Sequence, residues 1–87
     1  MNTYLIEAYV AGGDIADLGD RARAAAAAMS NEGYVIRYLR SVLVRADETC
    51  FHLFDAPSSA ALGAATRLAE LDHLRIVEAV EAEAGCG

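Results

Sequence analysis

Tryptophan is absent from this chain, proline occurs once and cysteine twice, and seven basic residues, all arginine, stand against thirteen acidic ones. Each shortage removes a class of function. At a formal net charge of −6 the chain lacks the clustered cations that neutralise phosphates, so no nucleic-acid partner is expected. The closest basic grouping, Arg37, Arg40 and Arg45, reads as the solvated face of a strand. Anionic membrane surfaces are disfavoured on the same ground. No apolar run approaches the ~20 residues of a membrane span. The opening Met1-Asn2-Thr3-Tyr4 has neither the charged start nor the apolar stretch of a signal peptide. A cytoplasmic location with no membrane partner is the expectation. Cys50 and Cys86 are too few and too far apart for a disulfide scaffold, and a reduced pair is expected.

What is present is apolar surface. Hydrophobic residues make up 55% of the 87 positions, while a chain this short buries only roughly 60–65% of its unfolded surface. That surplus points to a partner chain. Residues 3–10 are rich in aromatic and β-branched types and read as a strand. Ala11-Gly12-Gly13 breaks it, and Asp14 stands at an N-cap position with Asp17 and Asp20 following. Ile15, Leu18, Ala22, Ala25 and Met29 then recur at helical spacing until Asn31-Glu32-Gly33 stops the helix. Residues 34–44 and 49–54 form two strands whose short link, Arg45 to Glu48, predicts an antiparallel hairpin. The stretch from Asp55 through Pro57 to Ser59 opens a second helix with Leu62, Ala65, Leu68 and Ala69 as its buried stripe. A last strand covers roughly 74–81.

The order βαββαβ predicts a ferredoxin-like α+β domain over residues 1–84, followed by a short C-terminal tail, 85–87. Its four antiparallel strands run 4-1-3-2, with both helices on one face. Alternation then divides the strands. Ile6, Ala8 and Val10 are expected toward the helices, with Leu5, Glu7 and Tyr9 on the open face. Phe51 and Leu53 are expected inward, which leaves Cys50, His52 and Phe54 outward. Val77 and Ala79 likewise point inward, with Ile76, Glu78 and Val80 outward, and Tyr34, Ile36, Tyr38 and Arg40 share the open side. A face carrying that much apolar surface calls for a cover, and a second copy of the sheet makes a homodimer the expected assembly.

Within that open face the expected row is Glu7, His52 and Glu78. Three readings of it stay open. One His with two carboxylates suits a divalent metal such as nickel or zinc; it equally suits a proton-transfer pair around a bound small molecule; or each group is simply paired with an Arg or Tyr, since buried charge is costly alone. No catalytic nucleophile stands out. Ser41 and Ser58 lack a nearby His–Asp arrangement, and Ser58 reads as a helix cap. His73 reads as a loop residue. Gly12-Gly13 is followed by acids that would repel a phosphate, and Cys50 has no electropositive setting.

Four stretches together carry a resemblance: Leu5-Ile6-Glu7, Arg40-Ser41-Val42, Asp47 through Ser58 (Asp-Glu-Thr-Cys-Phe-His-Leu-Phe-Asp-Ala-Pro-Ser), and Arg75-Ile76-Val77-Glu78-Ala79-Val80. They resemble a family of small ferredoxin-like domains catalogued as domain of unknown function 4242, a member of which is described as nickel-binding. The resemblance implies the fold and the dimer, and it implies no reaction. Glu7 and Glu78 match positions usually acidic in the family, whereas the His52 position varies among His, Tyr and Cys. Glu70 and Asp72 depart from the Gly and Pro that many members carry before the last strand. The expected function is therefore a homodimeric metal-binding or small-molecule-binding protein. The alternative is a small dimeric enzyme, a cyclase, isomerase or cofactor-free oxygenase, using an acid–base cluster on the sheet; that alternative is analogy at the level of fold.

Overall fold

Asp14 starts the first helix in the computed structural model of the chain, which describes residues 2–10, 12, 14–68 and 75–80. Its carboxylate Oδ1 accepts a hydrogen bond from the Ala16 amide at 3.1 Å, so one of the helix's orphan donors is satisfied. Helix α1 (Ile15–Asn31) follows β1 (Asn2–Tyr9) and ends where Gly33 takes φ +93°, a left-handed turn that lets the Tyr34 amide return to the Met29 carbonyl. Strands β2 (Arg37–Val44) and β3 (Thr49–Ala56) are joined by one short 3₁₀ turn, Arg45–Asp47, and by Glu48 at φ +50°. Helix α2 (Ser59–Leu68) is capped by Ser58, whose hydroxyl accepts from the Ala61 amide at 3.1 Å, and β4 (Arg75–Ala79) completes the order βαββαβ. His73, Cys86, Leu71 and Asp72, and the tail 85–87, fall outside the described residues.

The four strands form one antiparallel sheet in the order β2-β3-β1-β4, which is 4-1-3-2 read from the opposite edge. Tyr4 and Ile6 of β1, Phe54 and Ala56 of β3, Ala22, Ala25, Ala26 and Met29 of α1, and Leu62 and Ala65 of α2 share a single buried cluster. Both helices therefore pack on one face of the sheet. The alanines of α1 contribute little area each, but they let the helix lie close on the strands. Cα extents of 37 × 34 × 20 Å match one helical layer on one sheet, and among the described residues no element lies over the other side.

Register decides which residues share a face, because directly opposed residues of antiparallel strands point the same way. Ile6 lies opposite His52, Tyr4 opposite Phe54 and Ala8 opposite Cys50. So Cys50, His52 and Phe54 point toward the helices, the reverse of the sequence expectation, and Phe51 and Leu53 lie on the open face beside Glu7 and Leu5. The same correction applies to β4, where Ile76 and Glu78 oppose Ile6 and Tyr4 while Val77 opposes Leu5. In β2 a register shift between Tyr38 and Arg40 puts Tyr38 on the helix side, and Ile36 is buried in the core; only Arg40 of the four expected open-face residues keeps that side. Alternation misled because both parities of β3 and β4 are apolar, so a one-residue slip costs little in sequence terms. The open face nonetheless remains apolar, with Leu5, Val42, Val44, Phe51, Leu53 and Val77 upon it.

Candidate functional site

The bulge in β2 does more than shift register. In a regular strand, residues three apart face opposite ways, but the extra residue between Tyr38 and Arg40 places Tyr38 and Ser41 on the same, helix-facing side. Tyr38 lies opposite Phe54 and Ser41 lies opposite His52. The result is a chain of polar groups on a mostly apolar face. Tyr38 Oη is 2.7 Å from Ser41 Oγ, and Ser41 Oγ is 2.6 Å from His52 Nδ1. Cys50 Sγ sits beside the imidazole, 3.8 Å from Nε2, and carries a free thiol.

His52 is only 2% exposed. Burial disfavours its charged form and holds the imidazole below its ordinary value of 6.5, so it is neutral at pH 7. The same burial pushes the Cys50 thiol above its ordinary 9.0, which keeps it protonated and a poor nucleophile. A neutral imidazole has one donor and one acceptor nitrogen. With Nδ1 accepting, Ser41 donates to His52 and Tyr38 donates to Ser41; with Nδ1 protonated, both bonds run the other way. The two hydroxyls can reverse together, which is the property a proton relay needs.

Tyr38 is the relay's outer end. Its ring meets Phe54 edge-on at 5.5 Å between centroids, and the Arg23 guanidinium carbon lies 5.6 Å from the ring centroid. Gly19 of α1 passes close to the phenol: a Cβ built there would lie 3.5 Å from Tyr38 Oη. The hydroxyl therefore reaches the seam between α1 and the sheet edge.

The three residues singled out from sequence do not come together. Glu7 is on the open face, where its Oε2 accepts from Arg75 Nε at 3.0 Å. His52 is on the opposite face. Glu78 shares the helix side but is exposed on β4, with β1 between it and β3, so two inter-strand spacings of ~4.8 Å separate the two strands. These residues do not fit a nickel or zinc ion, and among the described residues no group of three His, Cys, Asp or Glu side chains converges on one point. Of these three, His52 alone lies in the hydrogen-bonded chain with Tyr38 and Ser41. Sequence shows Ser41 without a His–Asp pair, and alternation sets Tyr38 on the open face because a β-bulge leaves no mark in it.

Comparison with protein-family models, with curated proteins and with solved structures gives no match to this chain.

Proposed function

We propose that this chain is one half of a homodimer and that each half performs proton transfer on a small organic molecule through Tyr38, Ser41 and His52. The observation that carries the reading is the 2.6 Å contact between Ser41 Oγ and His52 Nδ1, within a chain of hydrogen bonds that ends at a phenol. Burying the His52 imidazole with half-buried Ser41 and Tyr38 gains little stability even when the groups are bonded, roughly 0.5–1.5 kcal/mol per bond, and an apolar set would pack this face as well. A neutral imidazole joined to two hydroxyls instead offers a proton acceptor and proton donors in one connected path. Nucleophilic attack by Ser41 is the weaker chemistry here. A Ser–His nucleophile wants a third group to orient the imidazole, and among the described residues Nε2 meets the Cys50 sulfur, which lies equally near Nδ1, while Tyr38 already occupies the Ser41 oxygen.

The dimer is supported by the open face. Leu5 and Leu53 are register partners at its centre, with Phe51, Val77 and Val42 next to them; Leu53 is already buried within the chain, Leu5, Phe51 and Val77 are half-buried and Val42 is exposed. The charged residues that register assigns to this face are Glu7, Asp55, Arg37, Arg40 and Arg75, a near-balanced set on a chain of net charge −6. Two copies can therefore meet there without the repulsion their helical sides would meet. A two-fold interface of this kind also enlarges a core that 87 residues keep small. Membership of the family of nickel-binding domains stays a proposal resting on the quoted stretches alone, and no metal chemistry is assigned to Glu7, His52 and Glu78.

The test is exchange of carbon-bound protons for deuterium in D₂O, followed by proton NMR over a panel of small 2-oxo acids, β-keto acids and ketones. The wild-type protein should accelerate exchange in at least one member, and Ser41→Ala and His52→Gln should abolish the acceleration. Exchange no faster than in buffer across the panel, or undiminished in both variants, contradicts the reading.

A further inference from the structure

A cavity of 340 Å³ opens at the hairpin end of the sheet, lined by Val10, Gly12, Leu43, Arg45, Ala46 and Glu48. At ~30 Å³ per water it has room for on the order of ten waters, the volume of a small organic molecule, and it falls within the range of ligand sites. Its place relative to the relay follows from register. Leu43 lies opposite Cys50, the next helix-side pair after Ser41 and His52, and Cys50 Sγ is 3.8 Å from His52 Nε2. The cavity wall and the relay are thus two residues apart along β2, about 7 Å.

The lining has one cation to offer. The Glu48 carboxylate accepts from Tyr9 Oη at 3.4 Å and its carbonyl accepts from the Val10 amide at 2.7 Å, which ties the hairpin to the end of β1. The Arg45 guanidinium has no ion pair or hydrogen bond among the described residues. Val10, Leu43 and Ala46 supply apolar wall. A planar guanidinium beside such a wall suits a carboxylate on a hydrophobic body. Glu48 and Asp47 next to it exclude a second negative charge, so phosphates and dicarboxylates are poor candidates.

We infer that this cavity binds a small monocarboxylate, its carboxylate on Arg45 and its apolar body against Val10, Leu43 and Ala46, on the side of the Leu43–Cys50 register pair, behind which His52 is buried. The inference rests on the proton-transfer reading for what happens to the far end of the ligand; binding stands apart from it.

Phenylacetate, its neutral analogue phenylacetamide and inorganic phosphate serve as probes, titrated into ¹⁵N-labelled protein. Phenylacetate should shift the amides of Val10, Gly12, Leu43 and Ala46. Phenylacetamide should bind at least tenfold more weakly, phosphate should leave these amides unmoved, and Arg45→Ala, an exposed position whose spectrum reports its own folding, should weaken phenylacetate at least tenfold. Leu43→Trp, which fills the cavity, should abolish the shifts. Shifts absent from these amides, equal affinity for the amide analogue, or full affinity in Arg45→Ala overturns the inference. If phenylacetate binds as expected but proton exchange fails, only the relay falls; if exchange succeeds and phenylacetate does not bind, only the carboxylate site falls.

Discussion

Ser41 and His52 oppose each other across β2 and β3, and their side chains meet at 2.6 Å on the helix side of the sheet, where His52 is 2% exposed. Removing the hydroxyl leaves a buried imidazole nitrogen without its partner. Ser41→Ala should therefore cost about 1–3 kcal/mol in urea unfolding. Tyr38→Phe should cost less, about 0.5–1.5 kcal/mol, because Ser41 can still bond to His52. The double variant should fall short of the sum, since both changes break one network. Strict additivity would show that the two hydrogen bonds act independently.

The buried imidazole also gives stability a pH dependence. Its folded-state value lies below the 6.5 of the exposed group, so the unfolded chain takes up the proton first. The contribution is whole above about 6.5 and is lost as pH falls from there through the folded value. In unfolding measured from pH 8 to pH 4.5, wild type should lose stability relative to His52→Gln as the pH drops below ~6.5. Parallel profiles for the two proteins would show that His52 is not desolvated.

Two helical glycines run against propensity. A Cβ at Gly19 would meet only Tyr38 Oη at 3.5 Å, and one at Gly63 only Arg67 Nη1 and Ile76 Cδ1 at 3.9 Å, all ordinary contacts. Gly19→Ala and Gly63→Ala should each raise stability by roughly 0.5–1 kcal/mol, as alanine replaces glycine inside a helix. A loss at Gly19, seen as a lower melting temperature, would mean that the helix must stay close to Tyr38.

Much of this fold was legible in the sequence because its signals are local. The Asp14 cap, the Gly33 stop, the short hairpin link and the Ser58 cap each act within a few residues, and each is where the pattern places it. Strand facing was not legible in the same way. In β1 the choice was clear, since Glu7 and Tyr9 alternate with Ile6 and Ala8. In β3 both sets carry large apolar residues, and only pairing with β1 assigns Phe54 and His52 to the core. The site inherited that error. Alternation sets Glu7 and His52 on one face, whereas register sets Glu7 opposite Phe51 and His52 opposite Ile6, on the two sides of the sheet. Tyr38 and Ser41 meet because of a bulge, a non-local feature that hydrophobic periodicity does not encode.

The open face predicts an assembly. At micromolar concentration, sedimentation should give about twice the chain mass of 9.2 kDa. Leu5→Glu, which sets a charge at the centre of the proposed interface, should give a monomer or a protein of lower stability. A wild-type protein that stays monomeric at high concentration would remove the second copy from the account.

Nitrogen-15 NMR of the imidazole of His52 tests the relay most directly. The ring should be neutral at pH 7 and titrate below 6.5, with a Ser41 hydroxyl proton shielded from solvent and coupled to Nδ1, and with both the Nδ1 shift and the hydroxyl signal altered in Tyr38→Phe. A ring that titrates at 6.5 or above, with Nδ1 indifferent to Ser41→Ala and Tyr38→Phe, would contradict it.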